Sequence, residues 1–306
     1  MLEVGGGMTS AKSAAARLSV LSNTTLVAMK VIVGIMTGSV SIIAEALHSG
    51  LDLVAAAIAW VAVRAADAPP DEEHPYGHGK VENLSGTVEA TLILFTAGWI
   101  AWEALQRLVD PRPVHAGSLG LAVMAISAGV NVYVSRRLFR VARESNSVAL
   151  EADAHHLSVD VYTSLGVAFG LLLIRLTGWS FLDPLVALVL AVVIGRIAWE
   201  LSHRAAHPLL DTRLPAAEES ELVRWIEEHP AVMGCHSVRS RSAGAWAYLD
   251  AHVTVAAGTT LEAADALEEE LRAQLLARRP QLDVMLHIEP HRGALPPRQG
   301  GHIGRA

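Results

Sequence analysis

Two four-residue spacings, His48 to Asp52 in SIIAEALHSGLDLVAAAIAWVAV and His156 to Asp160 in EADAHHLSVDVYTSLGVAFGLLLI, set an imidazole and a carboxylate inside stretches that are otherwise strongly apolar. Residues i and i+4 share a helix face, so each stretch offers one nitrogen and one oxygen on one side. A carboxylate at the centre of a membrane span costs about 2.5 to 3.5 kcal/mol on insertion scales and marks function by default. Two such faces turned toward each other make a cage of two nitrogens and two oxygens.

Those stretches belong to a chain built for hydrocarbon. Of its 306 residues 52% are hydrophobic and 18% charged, too apolar for an ordinary soluble domain. Windows of about 20 residues, the length a helix needs to cross a bilayer, predict six spans, near 16–37, 40–65, 84–107, 116–138, 149–175 and 180–202. Six crossings return both termini to one side. Lys12, Arg17, Arg64, Lys80, Arg136, Arg137, Arg140, Arg143 and Arg204 fall on that side, against Arg107, Arg112 and Arg175 on the other. The positive-inside rule then puts both termini in the cytoplasm. Lys30 lies inside the first span, where it either snorkels or faces the bundle interior, and Gly38 to Ser41 leaves room only for a tight turn. The N-terminus shows no cleaved signal peptide. The net charge of -7 offers no basic footprint for nucleic acid. Cys235 is the only cysteine, so any metal meets nitrogen and oxygen ligands.

After His207-Pro208 the composition becomes that of a small soluble domain. Residues 218–228 and 261–278 read as amphipathic helices, and 235–242, 246–255 and 283–289 as strands. This αββαβ order predicts helices on one face of a three-stranded sheet. Thr259 and Glu262 read as a capping box on the second helix, and Leu267, Leu271 and Leu275 as its buried stripe. The chain divides into an N-terminal segment (1–14), a transmembrane domain (15–207), a soluble α+β domain (208–291) and a disordered Gly/Pro-rich tail (292–306).

Between the second and third spans, DEEHPYGHGKVEN sets Asp71, His74 and His78 within eight residues, with Pro75, Gly77 and Gly79 allowing tight turns. Neutral imidazole with carboxylate suits zinc and other late divalent metals. Composition alone is equally compatible with a solvated, turn-rich loop. Glu89 and Asn131, polar residues within spans, are most simply interhelical hydrogen-bonding groups.

In EALHSGLD, DEEHPYGHGKVE, EADAHHLSVD, LLDTRLP, HSVRSR, DAHVTV and DVMLHIEP, in that order, the chain resembles the cation diffusion facilitator family over about residues 15 to 291. The resemblance implies six transmembrane helices, a cytoplasmic metallochaperone-like domain, a homodimer, and export of Zn²⁺ or a related cation in exchange for protons; the short loops and the lack of a targeting segment suit a bacterial inner membrane. It maps a transport site onto His48, Asp52, His156 and Asp160, in the pattern of the zinc-preferring branch. A loop site maps onto Asp71, His74 and His78. A binuclear, regulatory zinc site in the soluble domain maps onto His236, His252, Asp265, His287 and Glu289. Asp265 stands where histidine is usual and Glu289 where aspartate is usual. Lys80 and Asp211 match a charge pair that ties the third helix to the end of the sixth.

Two other functional classes fit the sequence less well. An intramembrane zinc hydrolase needs three ligands and an open position for water; the four-ligand cage is closed and the chain has no HExxH motif, so the reading is not an enzyme. A membrane-anchored metal sensor without transport would gain nothing from polar residues inside its anchor. Zinc is the expected cargo, with iron, manganese, cobalt and cadmium as alternatives because a two-nitrogen, two-oxygen donor set suits several.

Overall fold

In the computed structural model, residues 3–37, 40–110, 118–179 and 181–291 are described; the predicted turn at Gly38 and the tail beyond residue 291 lie outside them. The chain forms two compact units that divide after Leu210.

The first unit is helical throughout: α1 (Glu3–Thr37), α2 (Val40–Ala66), α3 (Lys80–Val109), α4 (Ser118–Ser145), α5 (Val148–Thr177) and α6 (Leu182–Ala206). Among the described residues, four stretches, within α1, α2 and α3 and from α6 onward, are long and apolar enough to cross a membrane. The second half of α4 carries Arg136, Arg137, Arg140 and Arg143, and the first half of α5 carries Glu151, Asp153, His156 and Asp160, which dilutes their apolarity. Several helices outrun the predicted spans because a window sized to hydrocarbon stops where the helix enters water. Between α4 and α5 the expected loop shrinks to two residues. Asn146 takes a left-handed φ of +50° that ends α4, and the Ser147 hydroxyl accepts the Leu150 N–H at the start of α5.

Packing in this unit inverts the soluble pattern. Its interior is rich in small residues, Ala16, Ala56, Ala59, Ala90, Ala149, Ala152, Ala154 and Ala198 among them, while Leu47, Leu51, Phe95, Trp99 and Val192 stand exposed on the outside. Between helices that meet lipid, close backbone approach replaces hydrophobic burial as the source of association. Gly86 is one such approach: a Cβ there would lie 2.9 Å from Val148 Cγ1 and 3.3 Å from Ala205 Cβ. Beside it sits a buried ion cluster. Lys12 Nζ donates to Glu82 Oε1 and contacts Asp67 Oδ1, both at 2.8 Å, and the Ser147 hydroxyl donates to Glu82 Oε2 at 2.5 Å. One ammonium thus ties α1 to the end of α2 and the start of α3. Lys30 is buried as well and donates to Ser49 Oγ at 2.6 Å, so it faces the bundle interior.

The second unit contains α7 (Ala216–Glu227), β1 (Val232–Ala243), β2 (Trp246–Val255), α8 (Leu261–Arg278) and β3 (Leu282–Pro290), the predicted αββαβ order. The sheet order is β1-β2-β3, with β3 parallel to β2 because α8 carries the chain back as a crossover. Leu249, Ala251 and Val253 of β2, with Leu282, Val284 and Leu286 of β3, meet Leu222 and Ile226 of α7 and Leu267, Leu271 and Leu275 of α8. Both helices therefore cover one face, and the alternate residues His252, His287 and Glu289 occupy the other. The α8 cap differs from expectation by one position. Thr260, with ψ +160°, accepts the Ala263 N–H, whereas Thr259 donates to the Ala256 carbonyl and closes the preceding turn.

Candidate metal centres

The helix pairs meet as two crossed contacts. His156 Nε2 of α5 lies 3.0 Å from Asp52 Oδ1 of α2, and His48 Nε2 of α2 lies 3.9 Å from Asp160 Oδ1 of α5. One ligand atom each from His48, Asp52 and Asp160 falls within a mutual 4.8 Å, and His156 joins them through Asp52. The Asp52 side chain is 5% exposed and that of His156 12%, whereas His48 is 47% exposed; the cluster is closed on one side and open at His48. A carboxylate oxygen 3.0 Å from a ring nitrogen requires one hydrogen between them. That hydrogen stands where two ligand lone pairs converge.

Asn131 of α4 donates from Nδ2 to Asp160 Oδ2 at 3.3 Å. It is the interhelical bond expected of an intramembrane amide, and it also leaves Asp160 Oδ1 turned toward His48, an orienting role the sequence had not suggested. Glu89 differs. Its carboxylate is fully buried and, among the described residues, has no hydrogen-bond partner on another helix.

The α2–α3 loop gathers its three predicted residues. The His74 backbone N–H donates to Asp71 Oδ1 at 2.6 Å, and Gly77, at φ +78°, closes a turn onto the His74 carbonyl. Asp71 then meets both rings, His74 Nδ1 at 3.2 Å and His78 Nε2 at 3.3 Å. The His74 backbone N–H first, and then the two imidazoles, hold the Asp71 carboxyl below its ordinary value. An anionic oxygen between two imidazoles is a donor set for a borderline divalent cation.

On the sheet's uncovered face, Glu289 spans two histidines, with His236 Nε2 at 2.8 Å from Oε1 and His252 Nδ1 at 3.4 Å from Oε2. His287 sits opposite His252 in the parallel register, their ring centroids 4.8 Å apart. His236 reaches this face through a break in β1. Val232, Cys235 and Val238 pack toward the core at intervals of three rather than two, and the second of these shifts falls at Ser237, whose φ of +51° breaks the alternation between Cys235 and Val238, as in a bulge. Glu289 is slightly desolvated, which acts against ionisation, yet the bonds from His236 and His252 hold its carboxyl below the ordinary value. Burial, then Glu227, pushes the Cys235 thiol up to about 11, and its side chain packs toward the core.

Asp265 is not brought to this group. It is exposed on α8, two residues or about 200° around the helix from Leu267, and α8 covers the opposite face of the sheet. Asp211, at φ +56°, accepts from Arg241 Nη1 at 3.2 Å.

Residues 16–210 match the cation efflux transmembrane domain family and residues 214–291 the cation efflux protein cytoplasmic domain family. The chain is 33% identical over 256 residues to an uncharacterised transporter of Synechocystis, covering 83% of each protein. It is 32% identical to metal tolerance protein C1 of Arabidopsis thaliana, over 90% of this chain and 61% of that one. To the cation-efflux pump FieF of Shewanella oneidensis it is 29% identical, over 90% and 93%. A solved structure described as a putative zinc transporter, CzrB, covers 26% of this chain and 98% of its own at 29% identity, with a TM-score of 0.25. A family match to the helical unit, which makes up most of the chain and holds the crossed His–Asp contacts, decides membership: the chain belongs to the cation efflux family of divalent-metal transporters.

Proposed function

We propose that the chain exports Zn²⁺ from the cytoplasm in exchange for protons, and that His48, Asp52, His156 and Asp160 are the ligands that carry the ion across. The observation that supports this reading most is the crossed contact of α2 with α5. Two imidazoles and two carboxylates converge inside a bundle whose outer surface is apolar, and a two-nitrogen, two-oxygen set suits a borderline cation.

Exchange with protons follows from the hydrogen between His156 Nε2 and Asp52 Oδ1. The metal binds neutral imidazole and ionised carboxylate, so that hydrogen leaves as the cation arrives. A proton arriving from the far side restores the His156–Asp52 contact and expels the cation. Alternating access, with the cage open first to one side and then to the other, turns this exchange into transport. In this reading all six helices cross, both termini face the cytoplasm of a bacterial inner membrane, and the chain works as a homodimer. The loop group Asp71, His74 and His78 is a second zinc locus, and His236, His252, His287 and Glu289 bind zinc as a regulator on the soluble domain.

The test is metal flux into vesicles containing the purified protein, with an imposed pH gradient and Zn²⁺, Fe²⁺, Mn²⁺, Co²⁺ and Cd²⁺ in turn. Zinc uptake that collapses when the gradient is removed is expected. Zinc binding without flux of any cation would sink the transport reading and leave a membrane-anchored sensor.

A further inference from the structure

The C-terminal end of α6 carries a pair of histidines, His203 in its last turn and His207 just after it, outside all three groups above. His203 and His207 are four residues apart, both exposed, with His203 Nδ1 and His207 Nε2 2.8 Å apart. Their backbone is fixed by the helix itself, since the His207 N–H donates to the His203 carbonyl, and the His203 ring is braced edge-on against Trp199, centroids 5.0 Å apart. Around them stand solvated charges, the exposed Arg196–Glu200 pair and Arg204, so this end of α6 projects into water.

Two imidazole nitrogens held face to face at this distance share one hydrogen. With both rings neutral one donates to the other, and with both protonated they repel. The same position serves a metal ion. Two nitrogens bound tetrahedrally to one zinc at about 2.0–2.1 Å stand about 3.3 Å apart, so the pair needs to open by only about half an ångström, within reach of small side-chain rotations on an exposed turn. The geometry points to His203 and His207 as a two-nitrogen chelate for a late first-row divalent cation such as Zn²⁺, the other positions being filled by water. Histidines at i and i+4 on one helix face are a recurring zinc-binding arrangement. This locus lies at the end of the last span and is independent of the cage.

The full-length protein in detergent, with and without Zn²⁺, is treated with diethylpyrocarbonate, and modification of each histidine is read by mass spectrometry. Micromolar Zn²⁺ is expected to protect His203 and His207 together. His203→Ala should raise the Zn²⁺ needed to protect His207 by about tenfold or more, because it removes a ligand already held at high effective concentration. Asp160→Ala, which disables the proposed cage, should leave this protection unchanged, so the two readings fail separately. Protection of His207 at the same Zn²⁺ concentration in His203→Ala, its loss in Asp160→Ala, or no protection by micromolar Zn²⁺ overturns the proposal.

Discussion

His156 of α5 closes on Asp52 of α2 at 3.0 Å, across 104 residues of sequence, and this contact couples the two helices that hold the cage. Replacing Asp52 or Asp160 by Ala removes an anionic ligand and a buried charge together. Zinc flux in vesicles should fall to background, while the protein remains folded and inserted, with thermal stability in detergent not reduced. Parental flux in either variant would remove that residue from the transport site.

His48 is the most exposed of the four ligands and the one whose nitrogen sits beside Asp160. His48→Asp substitutes a hard oxygen for a borderline nitrogen, so selectivity should relax toward harder or larger cations, manganese and cadmium respectively, relative to zinc. Competition flux across the cation panel checks this, and an unchanged zinc preference would detach His48 from selectivity.

The Lys12–Asp67–Glu82 cluster predicts a different phenotype. Lys12→Ala leaves Glu82, 1% exposed, with only the Ser147 hydroxyl among the described residues, and an uncompensated buried charge costs about 3 to 5 kcal/mol. A melting transition in detergent should move down markedly, while a double replacement, Lys12→Ala with Glu82→Gln, should recover part of the loss. If the single variant melts with the parent, the cluster is not buried in the membrane-embedded protein.

Which of these features the sequence announced follows from their range. The His–Asp pairs were legible because i, i+4 spacing is local and charge inside an apolar stretch is conspicuous. The Lys12–Glu82 bond spans 70 residues, and Asn131 reaches Asp160 across 29; no periodicity signals such partners, so the ion cluster and the orienting amide came from the structure. The soluble fold was legible from strand alternation and the Leu267, Leu271, Leu275 stripe. The face on which His236 falls was not, because the alternation in β1 is broken on either side of Cys235, the second time at left-handed Ser237, a residue type that does not announce a break. Asp265 was assigned by resemblance alone, and within one chain it stands exposed on α8, the helix packed on the sheet face opposite Glu289.

Glu289 also gives a pH signature. Its carboxyl is held below the ordinary value by His236 and His252, so these contacts contribute fully above the ordinary glutamate range and are lost as pH falls through the depressed value. An NMR titration of residues 208–291 should place the Glu289 midpoint below that of a free glutamate side chain. His236→Ala should return it toward normal, and a midpoint insensitive to both histidines would refute the contact.

The soluble domain offers the sharpest contrast between resemblance and geometry. His236, His252 and Glu289 have ligand atoms within 4.8 Å of one another, and His287 stands beside His252 on the same face, whereas Asp265 lies across the sheet. Isothermal titration of residues 208–291 should therefore detect micromolar zinc binding that His252→Ala and Glu289→Ala each weaken by about tenfold or more, since each deletes a ligand of a site with few. Asp265→Ala should leave the affinity within about twofold, because an exposed charge on the helix that covers the other face of the sheet is screened by water. A large loss on Asp265→Ala would mean that α8 contributes to zinc binding by a route the single chain does not display. Equal binding by all three variants would mean that the His236–Glu289–His252 cluster is an ion pair network and not a metal site.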